Sequence, residues 1–543
     1  MEGFGPKQAG TRMGLEKPHT IFDDIKRVTK GSYTSSRELT LIVIAFLQFC
    51  LIINSSWRAV PDGALYLELG ESIAQGRGYV FNGEPHTYVP PGYPVFIALT
   101  NIVLGQDYFS YRVVMAFIGF LTGVLGYLLV LRLCGRDAAL LIGGTFWLSH
   151  VLLDNSTFTC SDVFFGLFVL AAIHSILGLE IKGISRTLVV IIGCGLLAGL
   201  PSLIRVNGWG IPPALAIYLF SITRGHPTRM RIFTVAVFLA TALLPSFMWE
   251  IYKSSFPQSA NEGTYLNAVT GRDFSTQLSI IVLSLKDYLR ETSFALTGVS
   301  LKTGFIELLV PAFIAVGTAR FLIKGERLLV PLMIIQMLGL SLSPAGSRYL
   351  VAVMPALYLS LVEGLIFLLT LVQRRYPKLR EQPETARSIV IVCIMVLICL
   401  NLAGNAVTIF QARTPMEKSG AQSARDVPFY LASRWLKEHG SGAVVMTMHP
   451  RVIRYLSGLP TIELVRSGVP ESQAWVHSQD EISRLVQEGK PRYFFSDEKN
   501  VFLERHLRQT LEDQGITLRR IPELNGMSRF ALWEMEYPGR VHQ

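Results

Sequence analysis

The chain alternates long apolar runs with short polar breaks, and nearly every run is apolar all the way round instead of on one face. Runs near the ~20 residues needed to cross a bilayer lie at about 40–56, 112–133, 137–153, 163–181, 187–204, 209–223, 231–250, 304–323, 328–343, 349–372 and 388–410. The pattern predicts an α-helical polytopic membrane protein with about eleven transmembrane helices. A further run, "YPVFIALTNIVLG" (93–105), is too short to cross and reads as a re-entrant or interfacial helix. From 411 the pattern changes. Short β-like runs "GAVVMTM", "TIELV", "RYFFS", "ITLRRI" and "FALWEMEY" alternate with helical patterns "QDEISRLVQEG" and "FLERHLRQTLEDQG", which predicts a C-terminal α/β domain over 411–543.

Basic residues orient the threading. With residues 1–39 cytoplasmic, the breaks holding Arg132 and Arg136, Lys182 and Arg186, Arg224 with Arg229 and Arg231, Lys324 and Arg327, and the segment from Arg374 all fall on the inner side. An odd number of crossings then places the C-terminal domain outside. The same face collects outer loops at 57–111, 154–162 and 251–303, "RVNGWG" after Ile204 and "PAGSRY" at 344–349.

Composition agrees: 50% of residues are hydrophobic, 17% are charged and the mean hydropathy is +0.39. The net charge of +10 is accounted for by those inner breaks, so nucleic acid is not an expected partner. The cysteines lie mostly in apolar runs, with Cys160 in an outer loop, and none forms a CxxC pair. About forty polar residues precede the first apolar run, which does not fit a cleaved signal peptide.

The chemistry is expected on the outer face. Asp62 stands where a helix could begin, and Leu65, Leu69 and Ile73 form an apolar stripe suited to lying along the membrane. Pro90, Pro91 and Pro94 stiffen the return segment. Asp154 and Asp162 bracket the second outer turn. With His86 and His150 the carboxylates could hold a divalent cation, and Asp154, His86 and His150 are the metal candidates. Arg205 ends the fifth run, and Arg348 with Tyr349 begins the tenth. Arginine is the side chain best fitted to grip phosphate. A carboxylate cluster facing arginines at the lipid boundary suits a lipid phosphate that carries a polar group to be transferred. The tail lacks a Gly-rich phosphate loop and is expected to cover the site or contact the acceptor.

The order Asp62, Tyr66, "GRGY" (76–79), "PPGYP" (90–94), the basic "RLCGRDAALL" turn, Ser161 with Asp162, "SRYLVAVMPALYL" and "WLKEHGSGAVVMTMHPRVIRYLSG" resembles the integral-membrane GT-C glycosyltransferases. The nearest branches are bacterial relatives of protein O-mannosyltransferases and of the lipid A aminoarabinose transferase. The resemblance implies transfer of a hexosyl or pentosyl group, with inversion, from a polyprenyl-phosphate donor to a lipid, glycan or protein acceptor outside the cytoplasm. It makes Asp62 the catalytic base and Asp162 the second acidic position, and puts Arg348 and Tyr349 by the donor phosphate, where the residue pattern by itself also places Arg205. Tyr66, Pro90, Pro91 and Tyr93 become loop scaffold. Tyr88 and Val89 stand where the aminoarabinose branch carries an acidic residue and a lysine, which argues against that sugar. The alternatives are a lipid or polysaccharide transporter, for which no second copy of the "DGALYLELG…PPGYP" pattern is found, and a scaffold whose tail binds a partner. His174, inside a run, is expected to hydrogen-bond a neighbouring helix.

Overall fold

The computed structural model describes residues 21–30, 35–81, 83–179, 184–256, 274–300, 304–341, 345–376, 383–414, 420–463, 479–497, 508–524 and 530–538. Helices coincide with the apolar runs. They are α2 (Ser35–Leu51), α5 (Tyr108–Cys134), α9 (Ser161–Leu177), α10 (Ile184–Ile204), α11 (Ile211–Ile222), α12 (Thr228–Ser254), α14 (Gly304–Ile323), α15 (Leu329–Leu340), α16 (Met354–Arg375) and α17 (Pro383–Arg413). The run 137–153 is a broken element: α6 (Arg136–Ala138), a π-helical stretch Ala139–Gly143, α7 (Gly144–Trp147) and then, after a break, α8 (His150–Asn155). α5, α12, α16 and Glu384–Arg413 of α17 are each long and apolar enough to span a bilayer. Large apolar side chains such as Phe46, Phe117, Phe247 and Val396 point outward, as lipid-facing positions do. The protein is a membrane protein.

Close helix packing depends on glycine. A Cβ at Gly317 of α14 would sit 1.8 Å from the Ser360 carbonyl oxygen of α16, and one at Gly199 of α10 would sit 2.2 Å from the Ala242 carbonyl oxygen of α12. Small residues at such crossings let backbones approach, which is the main source of attraction between helices in lipid. His174 binds the Leu125 carbonyl oxygen of α5 at 2.9 Å, as expected of a polar side chain between helices.

Two of the basic breaks are tied to the N-terminal segment by ion pairs at one end of the bundle. There Glu38 pairs with Arg136, and Lys324 bridges Asp24 of α1 (Asp23–Thr29) and Glu363 of α16 at 2.8 and 2.7 Å. Lys182 lies outside the described residues.

The other end carries α3 (Pro61–Ala74), a two-stranded hairpin of β1 (Val80–Phe81) and β2 (Glu84–Pro85), and α4 (Gly92–Leu104). Residues 93–105 are thus a short helix, as the run length predicts. Two expectations change. Leu65 and Leu69 are fully buried within the protein rather than lying along the membrane, and Gly70 beside them abuts Ile97 of α4. Pro94 falls in the first turn of α4, so the stiff segment ends at Pro91.

The expected loop 251–303 contains a helix, α13 (Phe274–Thr297), while 257–273 and 301–303 lie outside the described residues. α13 mixes both kinds of residue on both faces: it buries Ser284, Thr292 and Ser293 together with Tyr288, Ala295 and Leu296, and exposes Leu278, Val282 and Leu283 together with Lys286, Asp287 and Arg290.

Beyond α17 come α18 (Gly420–His439), β3 (Val445–Thr447), α19 (Pro450–Ser457), β4 (Thr461–Glu463), α20 (Gln479–Gly489), β5 (Tyr493–Asp497), β6 (Thr517–Arg520) and β7 (Phe530–Glu536). All five strands fall on the expected runs. They form one sheet in the order β4-β3-β5-β7-β6, parallel from β4 to β5 and antiparallel beyond. Alternation along β7 sends Phe530 and Leu532 into the core shared with α18 and α19, and Ala531, Trp533 and Met535 into a second core with Ile482 and Val486 of α20.

Candidate active site

Two segments at this end of the bundle are stitched together before any reactive group is considered. Trp57 Nε1 donates to Thr159 Oγ1 at 2.9 Å, Arg58 reaches Asp154 Oδ1 at 2.7 Å, and the buried Arg112 donates to the carbonyl oxygens of Ser56 and Thr157. This fixes the start of α3 against the start of α9.

Each helix start carries a carboxylate in its first turn. Pro61 occupies the first position of α3, where its missing N–H costs nothing, and Asp62 follows. Asp162 occupies the same place in α9, after Ser161. Negative charge at a helix N-terminus is favoured by the helix dipole.

The arginines arrive from elsewhere. Arg205 follows α10 directly, and the turn after it (Val206–Gly210) folds back so tightly that a Cβ at Gly208 would sit 2.3 Å from Pro201 and Ser202 backbone atoms. Arg205 Nη1 thereby reaches Asp162 Oδ1 at 2.6 Å and Ser161 Oγ at 3.1 Å. Arg348 and Tyr349 lie in the 3-10 turn Ser347–Leu350, whose first N–H is held by Glu291 Oε2 of α13 at 2.6 Å. Arg348 Nη2 contacts Asp62 Oδ2 at 2.9 Å and Tyr349 Oη at 2.7 Å. The Tyr349 ring lies under both guanidiniums, 4.7 Å from Arg205 and 4.8 Å from Arg348.

The scaffold residues act through packing. A Cβ at Gly92 would lie 2.6 Å from the Leu203 carbonyl oxygen, so Pro90 and Pro91 lead α4 in directly beneath the end of α10. Tyr93 is buried edge-on to Tyr66, 4.9 Å away, and Tyr66 Oη contacts Ser161 Oγ at 3.1 Å. The structure therefore brings Asp62, Asp162, Arg205, Arg348, Tyr349, Tyr66 and Tyr93 into one connected set.

The set also contains a residue from the C-terminal domain that the sequence reading did not single out. Arg451, at the start of α19, lies 3.4 Å from Asp62 Oδ1. Beside it Arg454 pairs with Glu68 at 2.7 Å and Tyr455 donates to Glu71 at 2.9 Å. The spacing of Arg451, Arg454 and Tyr455, at i, i+3 and i+4, was the available signal for a basic helix face. Cys160 also borders the site, and burial pushes its thiol up to about 12.

The Asp62 side chain is 40% exposed. Burial pushes its carboxyl up, but the charges of Arg348, Arg451 and Arg205 outweigh that and hold it below the ordinary value. Burial likewise raises Tyr66, which stays a neutral hydroxyl.

The metal candidates are not brought together. Asp154 is paired with Arg58, His86 Nε2 accepts the Val89 N–H at 3.2 Å among the rings of Tyr79 and Phe81, and His150 lies against Phe294. Among the described residues no group of three His, Cys, Asp or Glu side chains could hold an ion. Both oxygens of Asp62 already face guanidiniums. In this arrangement Arg58 holds an oxygen of Asp154, and Arg348 with Arg451 hold those of Asp62.

His150 and Asp154 instead line a cavity of about 160 Å³ with Asn155, Glu291, Phe294 and Arg348.

A model of the family described as dolichyl-phosphate-mannose-protein mannosyltransferase matches residues 88–249. The structure is similar to ArnT from Cupriavidus metallidurans bound to undecaprenyl phosphate, 13% identical, covering 92% of this chain and 98% of that one at a TM-score of 0.54. It is also similar to the archaeal oligosaccharyltransferase AglB from Archaeoglobus fulgidus in complex with an inhibitory peptide and a dolichol-phosphate, 14% identical, covering 89% and 73% at a TM-score of 0.54. An uncharacterized protein of Aquifex aeolicus is 28% identical over 141 residues. The match spans 28% of that relative's length and 25% of this chain.

Proposed function

We propose that this chain, which has the fold of the GT-C integral-membrane glycosyltransferases, moves a sugar from a polyprenyl-phosphate donor to a hydroxyl acceptor on the outer side of the membrane. One observation carries the reading: an accessible carboxylate, Asp62, faces guanidiniums on both oxygens at the end of a lipid-embedded bundle. That arrangement can serve both halves of a glycosyl transfer. Asp62 takes the proton of the acceptor hydroxyl as its oxygen bonds to the anomeric carbon. The bond from that carbon to the phosphate oxygen breaks with its electron pair, and the polyprenyl phosphate leaves as an anion. Attack from the side opposite the leaving group inverts the anomeric centre.

General-base assistance of this kind contributes about 10²–10⁴ in rate. The leaving phosphate needs charge stabilisation more than a proton, and Arg348 and Arg205 supply it from fixed positions. The acceptor is a lipid, glycan or protein. Mannose is the first sugar to try, given the family whose model matches. Residues 1–39 are assigned to the cytoplasm by the basic inner breaks, and the C-terminal domain to the opposite side.

The site's position disfavours a transporter. Transport sites sit near the bilayer midplane on broken helices, whereas Asp62, Asp162, Arg205 and Arg348 all lie at element ends beside the C-terminal domain. The test is transfer of radiolabel from polyprenyl-phosphate sugars to membrane extract by the purified protein in lipid nanodiscs, with and without chelator. Transfer that survives the chelator is expected. Absence of transfer from every such donor would end the reading.

A further inference from the structure

We infer that Arg451, supplied by the C-terminal domain, is a ligand of the donor phosphate and, until the donor arrives, a cover on the catalytic base. The inference rests on the transferase reading and assigns the tail a part in the site.

Three observations lead to it. Asp62 has both oxygens facing guanidiniums, Arg348 at 2.9 Å on Oδ2 and Arg451 at 3.4 Å on Oδ1. Arg451 takes one of the acceptor directions of Oδ1, so an acceptor hydroxyl gains the whole of that oxygen only when the guanidinium moves. Arg451 is the weaker-held of the two. Its contact is the longer one, and among the described residues it is the only polar contact of this side chain, whereas Arg348 is also bonded to Tyr349 Oη and stacked on the Tyr349 ring.

The second observation concerns what fastens α19. The domain is docked by its neighbours: Arg454 on Glu68, Tyr455 on Glu71, the Tyr455 ring against Trp57 at 5.3 Å, and Tyr430 Oη on the Trp57 carbonyl oxygen at 3.0 Å. Arg451 is therefore carried to the site by contacts that do not need it. Its guanidinium is only 16% exposed yet satisfied by a single long contact. A guanidinium with unspent donors in a confined place is a site for an anion with several oxygens.

Charge is the third. The directly paired groups comprise the guanidiniums of Arg205, Arg348 and Arg451 and the carboxylates of Asp62 and Asp162. One positive charge is left over, which is the complement of a singly charged sugar phosphodiester. When that phosphate enters, Arg451 transfers its hydrogen bonds from Asp62 Oδ1 to a phosphate oxygen. Oδ1 is then free to accept the acceptor's proton while the phosphate it was exchanged for departs with the bonding pair.

The groups facing Asp62 are Arg348 and Tyr349 from the 3-10 turn, Arg451 from α19, Arg205 after α10, Cys160 and Asp162 around the start of α9, and Tyr66 from α3. Replacing Arg451 alone changes one of these charges and leaves the docking pairs intact.

The experiment measures binding of undecaprenyl phosphate to the full-length protein in nanodiscs, for wild type, Arg451→Gln and Arg451→Lys, with the melting temperature of each as a check on folding. Loss of a charge-assisted bond to phosphate is expected to weaken binding by about 10- to 100-fold in the Gln variant, with partial recovery in Lys. The acid limb of kcat/KM for transfer is expected to move to higher pH in the Gln variant, because Asp62 loses a stabilising charge. The limb moves with the charge in any case, whereas an Arg451 that is not a phosphate ligand would leave the affinity unchanged at unchanged melting temperature. Equal affinity in Arg451→Gln, whatever the limb does, would overturn the assignment while leaving the transferase reading standing. A wild type that neither binds undecaprenyl phosphate nor transfers sugar would overturn both.

Discussion

Arg205 Nη1 lies 2.6 Å from Asp162 Oδ1, and the pair is the most enclosed ionic contact of the site, with the two side chains 18% and 2% exposed. Burial disfavours both charges, so the pair persists because each partner needs the other. Removing the carboxylate strands a guanidinium at the end of α10. Asp162→Ala is expected to cost about 3–5 kcal/mol, read as a fall in melting temperature, and to lower donor affinity because Arg205 loses its aim. Asp162→Asn keeps the shape and should fall between. An Asp162→Ala protein as stable as wild type would show that the pair is not the anchor it looks to be.

Asp62 is different in kind, because it is accessible and sits between two arginines that have a second use. Asp62→Asn should lose about 10²–10⁴ of the transfer rate and yet bind undecaprenyl phosphate at least as tightly as wild type, since Arg348 and Arg451 are released to the phosphate. A stabiliser of folding would behave in the opposite way, losing binding and rate together. Single-turnover transfer and equilibrium binding on the same preparation separate the two.

The pH dependence follows from the same charges. The Asp62 carboxyl titrates below the ordinary aspartate value of 3.8 because Arg348, Arg451 and Arg205 outweigh the effect of burial. A group whose folded value is depressed stabilises the fold above its unfolded value, and that contribution disappears as the pH falls through the folded one. The melting-temperature difference between wild type and Asp62→Asn should therefore be constant near neutrality and shrink only below the ordinary aspartate range. The acid limb of kcat/KM should lie in that same low window. A limb near neutral pH would point to a different base.

What could be read from the chain, and what could not, follows from where the physical constraint is local. A bilayer imposes apolar continuity on every crossing, so the runs from 40–56 to 388–410 could be located without a structure, as could the strands of the tail from their period of two. α13 escaped because polar and apolar residues share both of its faces, with Ser284 and Thr292 buried beside Tyr288 and Leu296 and Val282 and Leu283 exposed beside Lys286 and Arg290, so no continuous apolar run marks it. Asp62, Asp162, Arg205 and Arg348 could be picked out because each is a charge at the end of an apolar run. Arg451 could not, since its partner is 389 positions away and nothing in "HPRVIRYLSG" says which surface it covers. The pairing of Asp154 was hidden for a related reason: shared sidedness places Asp154 and His86 on one face but gives no information on partners, and Arg58 claims Asp154.

Helix contacts far from the carboxylates should matter through Arg205. On α10, a Cβ at Gly195 would lie 2.0 Å from Thr241 Oγ1 and one at Gly199 would lie 2.2 Å from the Ala242 carbonyl oxygen, whereas at Gly193 nothing lies within 4 Å. Gly199→Leu must push α10 away from α12 and is expected to cost about 1–3 kcal/mol. Arg205 follows α10 directly, so the displacement reaches the guanidinium that Asp162 holds. The variant should therefore lose both melting temperature and affinity for undecaprenyl phosphate. Gly193→Leu, changed on the same helix but facing open space, should lose neither. If the two variants melt together, α10 is not fastened to α12 through these glycines, and the position of Arg205 must be set from its own turn instead.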